Sequence, residues 1–381
     1  MRRSTCRFAV AMLVGLGLVA LAACGSSRSA ASGATTRSPR PVARTTSLLP
    51  AWQRPLVGRT AQVGHLALGS NPAALPGDLL IADKLNNRLI IVDPHGRIRW
   101  QFPRRGDLAP GQTFKIPDDA FFNPDGTHII ATEEDDQVIR IIDIARHRIT
   151  YTYGKPGVPG QGPNRVWNPD DAVILPDGAI LTADIKNQRI LLIGRGAHRP
   201  SKSFGSPGSG YHNPPLAYGA PNGAFPIGKG RFLVTEIRSD WVDDIDLHGH
   251  VFWSTHVPGF TYPSDSNRIG ANSYLSVDYA SPGQVVIFNR RGQTLWRFAP
   301  SGTQQLNHPS LALPLPNGNI VLNDDYNHRV IVIDRTTHKV IWQYGHTGRP
   351  GSAPGYLDNP DGLDLAPPNA LIERTMGMNA Q

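Results

Sequence analysis

From Leu306 to Gly345 short apolar runs alternate with turn residues four times over. Leu311 to Leu315 is apolar and gives way to Pro316-Asn317-Gly318. Asn319 to Asn323 ends on Asp324-Asp325, Arg329 to Ile333 ends at Asp334, and Lys339 to Tyr344 is closed by Gly345. Runs of about five residues rich in β-branched and aromatic side chains, bounded by Pro, Gly, Asn and Asp, predict an antiparallel meander. One meander of four strands cannot bury both of its faces alone. Its recurrence roughly every forty to fifty residues along the chain predicts the blades of a β-propeller.

Two markers count the units. A Pro followed by a small polar residue introduces a strand at Pro117-Asp118, Pro169-Asp170, Pro221-Asn222, Pro263-Ser264, Pro309-Ser310 and Pro360-Asp361. A carboxylate ends the next strand at Asp83, Glu133, Asp184, Glu236, Asp278 and Asp324, and within a unit it lies fifteen or sixteen residues after the Pro. Asp83 has no Pro-Asp before it, and Pro360-Asp361 has no acid after it. Both therefore belong to one blade, with Asn359 to Leu365 as its inner strand and Gly77 to Phe102 as the other three. The expectation is an all-β fold: a six-bladed β-propeller of four-stranded antiparallel blades, closed by strand exchange between the termini so that no edge is left open. The role of Val63 to Leu68, as an added strand of blade one or a segment packed across a face, is left open.

The amino terminus departs from this pattern. Arg2, Arg3 and Arg7 precede an apolar stretch from Phe8 to Ala20 that is short for a membrane span. It runs into Leu21-Ala22-Ala23-Cys24-Gly25, which resembles the lipobox of bacterial lipoproteins. The resemblance implies a signal peptide over residues 1–23, diacylglyceryl (palmitate-type) lipidation of Cys24 and a place on the extracytoplasmic face of the cell membrane. An ordinary secretory signal would instead leave Cys24 an unpaired thiol. Residues 24–48 are Ser, Ala, Thr, Gly and Pro with four Arg and no acid, the composition of a disordered tether. Residues 49–366 form the propeller and residues 367–381 a C-terminal tail.

This division explains the charge. The formal net charge is +8, but three of those charges sit in the signal and four in the tether, so the propeller is close to neutral. The basic balance is not a nucleic-acid footprint, and no nucleic-acid partner is expected. The tether would instead lie against anionic headgroups. With only two Cys, Cys6 in the signal and Cys24 at its end, no thiol or disulfide chemistry is available to the propeller. It is expected to act as a monomer.

In blades one, three and six the terminal acid is followed by Asn-Asn-Arg88, Asn-Gln-Arg189 and Asn-His-Arg329 at one spacing, and the other blades lack that Arg. Here the chain resembles the NHL-repeat propellers, whose units carry an acid, Asn-x-Arg and an apolar strand ending in Asp. It is also similar to the quinoprotein-like and arylsulfotransferase-like propellers, whose blades end in an aromatic. The fourth strands carry Trp100, Tyr151, Trp253, Trp296 and Trp342, with Phe204 standing in for blade three. Such a stripe serves either as packing between neighbouring blades or as a stacking surface, and packing is the expected use.

Strand alternation puts the start of each inner strand and the end of each second strand on one face, at the mouth of the central channel. The returns from Lys155 to Pro163 and from His346 to Pro354 arrive there too. The candidate ligand-binding set is Asp118, Asp119, Asp170, Asp171, Asn222, Asp265 and Asp361, with His308 entering at the same place. Such a ring suits a polyhydroxylated or cationic ligand, or Ca²⁺ at Asp118, Asp170 and Asp361, since Ca²⁺ takes about six to eight oxygen ligands. The competing use is that each Asp caps its own turn. No cofactor is established by any motif. For the terminal acids Asp83, Asp184 and Asp324, an ion pair with the Arg five residues on is expected.

Catalytic motifs are absent from the sequence: no H-E-x-x-H, no glycine-rich phosphate loop and no G-x-S-x-G elbow. His212, His256 and His346 sit in expected loops. An arylsulfotransferase-like enzyme would need a His nucleophile, for which His308 or His346 would serve, but an acidic mouth opposes a sulfate. The reading is a non-catalytic, membrane-anchored propeller that binds a ligand or a protein at its acidic mouth. The alternative is an extracytoplasmic enzyme at the same mouth, a carboxylate-based lyase or hydrolase or a sulfotransferase-like transferase.

Overall fold

A computed structural model describes residues 64–368 and Ala370. Cys24, the signal and the tether lie outside the described residues. The chain forms six separate four-stranded antiparallel sheets, the blades of a propeller. Blade two is typical: Ala120–Phe122, His128–Glu133, Val138–Asp143 and Arg148–Gly154 follow one another from the channel outwards. Blade one takes its inner strand, Pro360–Leu365, from the C-terminal end and pairs it antiparallel with Leu79–Asp83, from Leu79 opposite Leu365 to Asp83 opposite Pro360, with a register shift between Ile81 and Asp83. The ring closes as the repeat count requires.

Burial follows strand position. The second and third strands of blade one, Leu79–Asp83 and Arg88–Val92, are buried at every residue because a neighbouring blade covers each face. They therefore read as continuous apolar runs rather than alternating ones. The outermost strands alternate, as in Arg148–Gly154 and Thr294–Phe298, because one of their faces meets water.

The fourth-strand aromatics pack between blades, and most also donate a hydrogen bond across the seam. Trp100 Nε1 donates to Ile144 O of blade two at 3.1 Å, Trp296 Nε1 to Arg335 O of blade six at 3.0 Å, and Trp342 Nε1 to Pro94 O of blade one at 2.8 Å. The Tyr151 hydroxyl donates to Ala197 O of blade three. Phe204 tilts against Phe232 and Trp253 against Tyr274, each in the next blade. Each large ring removes apolar area from water, and in Trp100, Tyr151, Trp296 and Trp342 the polar edge finds a carbonyl in the adjacent blade.

Residues 64–71 do not extend blade one. They run along the outer strand of blade six, with Leu66 bridging Tyr344, Ala67 N donating to Gln343 O at 3.0 Å and Asn71 N to Ile341 O at 2.8 Å.

Candidate functional site

Each blade begins and ends at the mouth, as the pairing of Pro169 with Asp184, Pro221 with Glu236 and Pro263 with Asp278 shows. The terminal acids are structural. Asp83, Asp184 and Asp324 each accept from the Nε of the Arg five residues on at 2.7 Å. Each also accepts a backbone N–H from the loop that enters its inner strand, from Asp358, Trp167 and Asn307 respectively, at 2.7 Å. Blade two, which lacks the Arg at that spacing, recovers it two residues later: Arg140 Nε donates to Glu133 Oε1 at 2.7 Å. In blade five an amide does this work, Gln284 Nε2 donating to Asp278 Oδ2 at 3.0 Å.

The Pro-Asp positions behave differently. Asp118, Asp119, Asp170, Asp171, Asp265 and Asp361 are all buried and lie against one another, and of the six Asp118 and Asp361 also meet an ammonium, that of Lys84. Three carboxyl pairs result. Asp118 lies against Asp361, Asp170 against Asp119, and Asp171 reaches across blade four to Asp265. Gly223 leaves room for the last contact: a Cβ there would stand 3.0 Å from Asp265 Oδ1 and 3.2 Å from Asp171 Oδ2, so the carboxyls would have to give way slightly. Ligand atoms of Asp118, Asp119 and Asp170 come within 4.8 Å of one another. Asn222 turns away from the pairs and donates to Ser264 O at 3.0 Å. His308 lies between Tyr279 and Tyr326, edge-on to the first and tilted against the second, with centroids 4.9 and 4.6 Å away. His346 lies against Tyr356, away from the acids.

Sequence reasoning missed the centre of the site. Lys84 Nζ donates to Asp361 Oδ2 at 2.6 Å and to Asp118, and lies 3.9 Å from Glu134 Oε2. Burial works against the ammonium, but Asp118, Asp361 and Glu134 together hold it well above the ordinary lysine range. Asp361 is buried too, yet Lys84 holds it below its usual value. Asp118 is pushed well up, first by burial and then by the Asp361 charge. Asp325 adds another fully buried carboxyl, bonded by Ser310 Oγ at 2.9 Å, and burial drives it well up. The signal was present in the repeat. The residue after each terminal acid, which is Lys84, Glu134, Tyr279 and Asp325 in blades one, two, five and six, rims the mouth as the Pro-Asp residues do.

The aromatic wall comes from the residues flanking these positions. Tyr262 stands 5.4 Å from Tyr279, and burial and then the Asp170 charge raise its phenol. Among the described residues, eight carboxyl groups, one ammonium and three tyrosines thus converge on the mouth. That arrangement can share protons among its carboxyls, hold a cation among them, or do both. A surface pocket of about 520 Å³ lies elsewhere, at the far ends of the inner strands of blades two and three, between the turns at Asp125 and Asp177. It lacks this convergence of buried charge.

The mouth gives stability a pH dependence with a definite sign. Burial first, and neighbouring carboxylates second, push Asp118, Asp170 and Asp171 well above 3.8 and Asp265 up to about 7. A carboxyl whose folded pKa is raised binds more protons folded than unfolded, so its contribution is present below about pH 4 and is lost as pH rises through the folded value. The protein is expected to lose about 1–3 kcal/mol of unfolding free energy between pH 5 and pH 8 in chelator-treated buffer. Denaturant midpoints at the two pH values measure it, and Asp265→Asn should flatten the slope. A midpoint that rises with pH would contradict the proton sharing.

No family model matches the chain, and no curated protein matches it. Solved structures do. A protein of unknown function from Bacteroides caccae superposes with a TM-score of 0.53 at 17% identity, over 75% of this chain and 97% of that one. A chain of a nidogen/laminin complex gives a TM-score of 0.52 at 13% identity, over 76% of this chain and 98% of that one. A streptogramin B lyase gives 0.43 at 16% identity, over 64% and 72% of the two chains. At these identities the likeness to the first two is one of fold alone.

Proposed function

We propose that this protein is a non-catalytic binding protein, anchored through lipidated Cys24 to the extracytoplasmic face of a membrane, whose propeller mouth takes a positively charged ligand. The NHL-like repeat of blades one, three and six is part of the same reading. The observation that supports it is the charge balance of the mouth: eight carboxyl groups converge there, and Lys84 is the one ammonium among them. Buried carboxyls without counter-ions either hold protons or recruit a cation, and an incoming cation releases those protons. Tyr262, Tyr279 and Tyr326 beside the acids suit an organic ammonium as well, since aromatic faces attract cations. An arylsulfotransferase-like activity is disfavoured, because the same carboxylates repel sulfate.

The second reading is a carboxylate enzyme. It draws on the proton-sharing pairs, above all Asp265 at about 7, a value suited to general acid–base work near neutral pH.

Thermal and denaturant unfolding against Ca²⁺, spermidine, choline, neutral sugars and aryl sulfates tests the binding reading. A cation at a hundredfold excess over its Kd raises stability by about 2.7 kcal/mol. That gain should vanish in Asp170→Asn and should release protons into weakly buffered solution. Stabilisation by sugars or sulfates alone would overturn it. So would cation effects identical in the wild-type protein and Asp170→Asn.

A further inference from the structure

Blade four breaks the acid–arginine pattern. In blades one, two, three and six a guanidinium from the third strand neutralises the buried terminal acid. In blade four the residue five after Glu236 is Trp241, and a second acid takes the place of the guanidinium. Asp243 pairs opposite Val234 at the same register position that Arg140 holds opposite Ala131 in blade two. Glu236 and Asp243 are both 0% exposed, so two buried carboxyls face each other where blades one, two, three and six pair one acid with a guanidinium.

A histidine completes the set. His212, on the loop that enters blade four, brings Nδ1 within 2.6 Å of Glu236 Oε1 and 3.9 Å of Asp243 Oδ2. Its ring lies flat on Trp241, with centroids 3.9 Å apart and planes 5° from parallel, which fixes where Nδ1 points. The second Glu236 oxygen accepts the Gly219 N–H. The remaining polar atoms are not provided for. Neither Asp243 oxygen accepts a hydrogen bond of good geometry, although Ser254 stands opposite it on the adjacent strand and approaches it, and Tyr218 Oη, fully buried beside the two carboxyls, has no partner.

We propose that His212, Glu236 and Asp243 form a binding site for a divalent transition-metal cation of the Zn²⁺ class, with Tyr218 Oη at its edge. The three donor atoms lie within 4.8 Å of one another. Tetrahedral coordination at about 2.1 Å separates ligands by about 3.4 Å, between the two distances that His212 Nδ1 makes. An imidazole nitrogen with two carboxylate oxygens suits Zn²⁺ better than Ca²⁺ or Mg²⁺, which prefer all-oxygen shells. The cation supplies the positive charge that arginine supplies in blades one, two, three and six. His212 retains 18% side-chain exposure, so the site opens to solvent through its loop.

The test uses the whole protein, stripped with chelator and then titrated separately with Zn²⁺ and Ca²⁺. Bound metal per chain is measured after gel filtration, and Co²⁺ substitution reports coordination through its visible spectrum. One Zn²⁺ per chain is expected, bound at least tenfold more weakly in His212→Ala and in Asp243→Asn, and retained in the mouth variant Asp170→Asn. His212→Cys, which restores a ligand, should recover binding and shift the Co²⁺ spectrum. His212 is on a loop, so His212→Ala keeps the test open should Asp243→Asn fail to fold. No Zn²⁺ bound, undiminished affinity in His212→Ala, or loss of Zn²⁺ in Asp170→Asn alone would each overturn the assignment. In the first of these cases Glu236 and Asp243 share a proton instead.

Discussion

Replacing Arg329 by methionine is expected to destabilise the propeller by about 3–5 kcal/mol, the usual cost of breaking a fully buried ion pair from one side. Arg329 and Asp324 are both 0% exposed, and the pair is joined at 2.7 Å. The guanidinium has further duties, donating from Nη1 to Thr347 Oγ1 at 3.1 Å and from Nη2 to Gln304 O at 3.2 Å. It therefore ties blade six to the loops that enter and leave it. Without it Asp324 keeps the Asn307 N–H and the Asn327 amide, but a carboxylate would remain in a medium that cannot solvate it. Burial already raises Asp324 despite the arginine, and removing the arginine raises it further. The defect should consequently be worse at pH 8 than at pH 5, where the acid can take up a proton. Adding Asp324→Asn should recover a large part of the loss. Urea midpoints at constant m-value give the comparison. A loss below about 1 kcal/mol in the single variant would mean that the pair is neutral to stability, as some buried pairs are.

Lys84→Met should produce an effect of similar size with a functional signature attached. The ammonium sits between Asp118 and Asp361 with Glu134 nearby. Its loss removes the one resident cation of the mouth, and about 3–5 kcal/mol of stability at pH 8 goes with it. At pH 5 the two aspartates can both hold protons, so the loss should shrink to about 1 kcal/mol. If the mouth recruits cations, added Ca²⁺ should now stabilise the variant more than the parent, because a bound cation takes over the role of the ammonium. Paired unfolding curves at two pH values, with and without Ca²⁺, read all three effects. Equal losses at both pH values and no gain in calcium response would show that Lys84 is a structural strut and not the counter-ion of a binding site.

Both variants probe charge that the repeat handles in two ways. The pairing of Asp83, Asp184 and Asp324 with the Arg five residues on was legible because partner and acid lie on adjacent strands of one hairpin, so their spacing is fixed by local geometry. The aromatic stripe was legible for a similar reason: one large ring per outer strand, at a constant place, has little to do except meet the next blade. Arg140 escaped notice because it lies two residues beyond the expected spacing. It stays on the same face of its strand, where it still reaches Glu133.

The periodic pattern of apolar runs, prolines and acids by itself determined the architecture: six blades, their strands, their order and the closure by Pro360–Leu365. It could do so because each blade is a local meander whose contacts are close in sequence, and stacking such units leaves little choice. It also placed the Pro-Asp set on one face. Only the tertiary structure decided what those aspartates face. The pairs Asp118–Asp361, Asp119–Asp170 and Asp171–Asp265 join different blades, and the last has the room left by the missing side chain at Gly223. The placement of Lys84 against Asp361, 277 residues away, follows from ring closure and from no spacing in the chain. His212, Glu236 and Asp243 meet because a loop folds back over blade four. Convergence across blades is a property of the ring, and a repeat read one unit at a time carries no record of it.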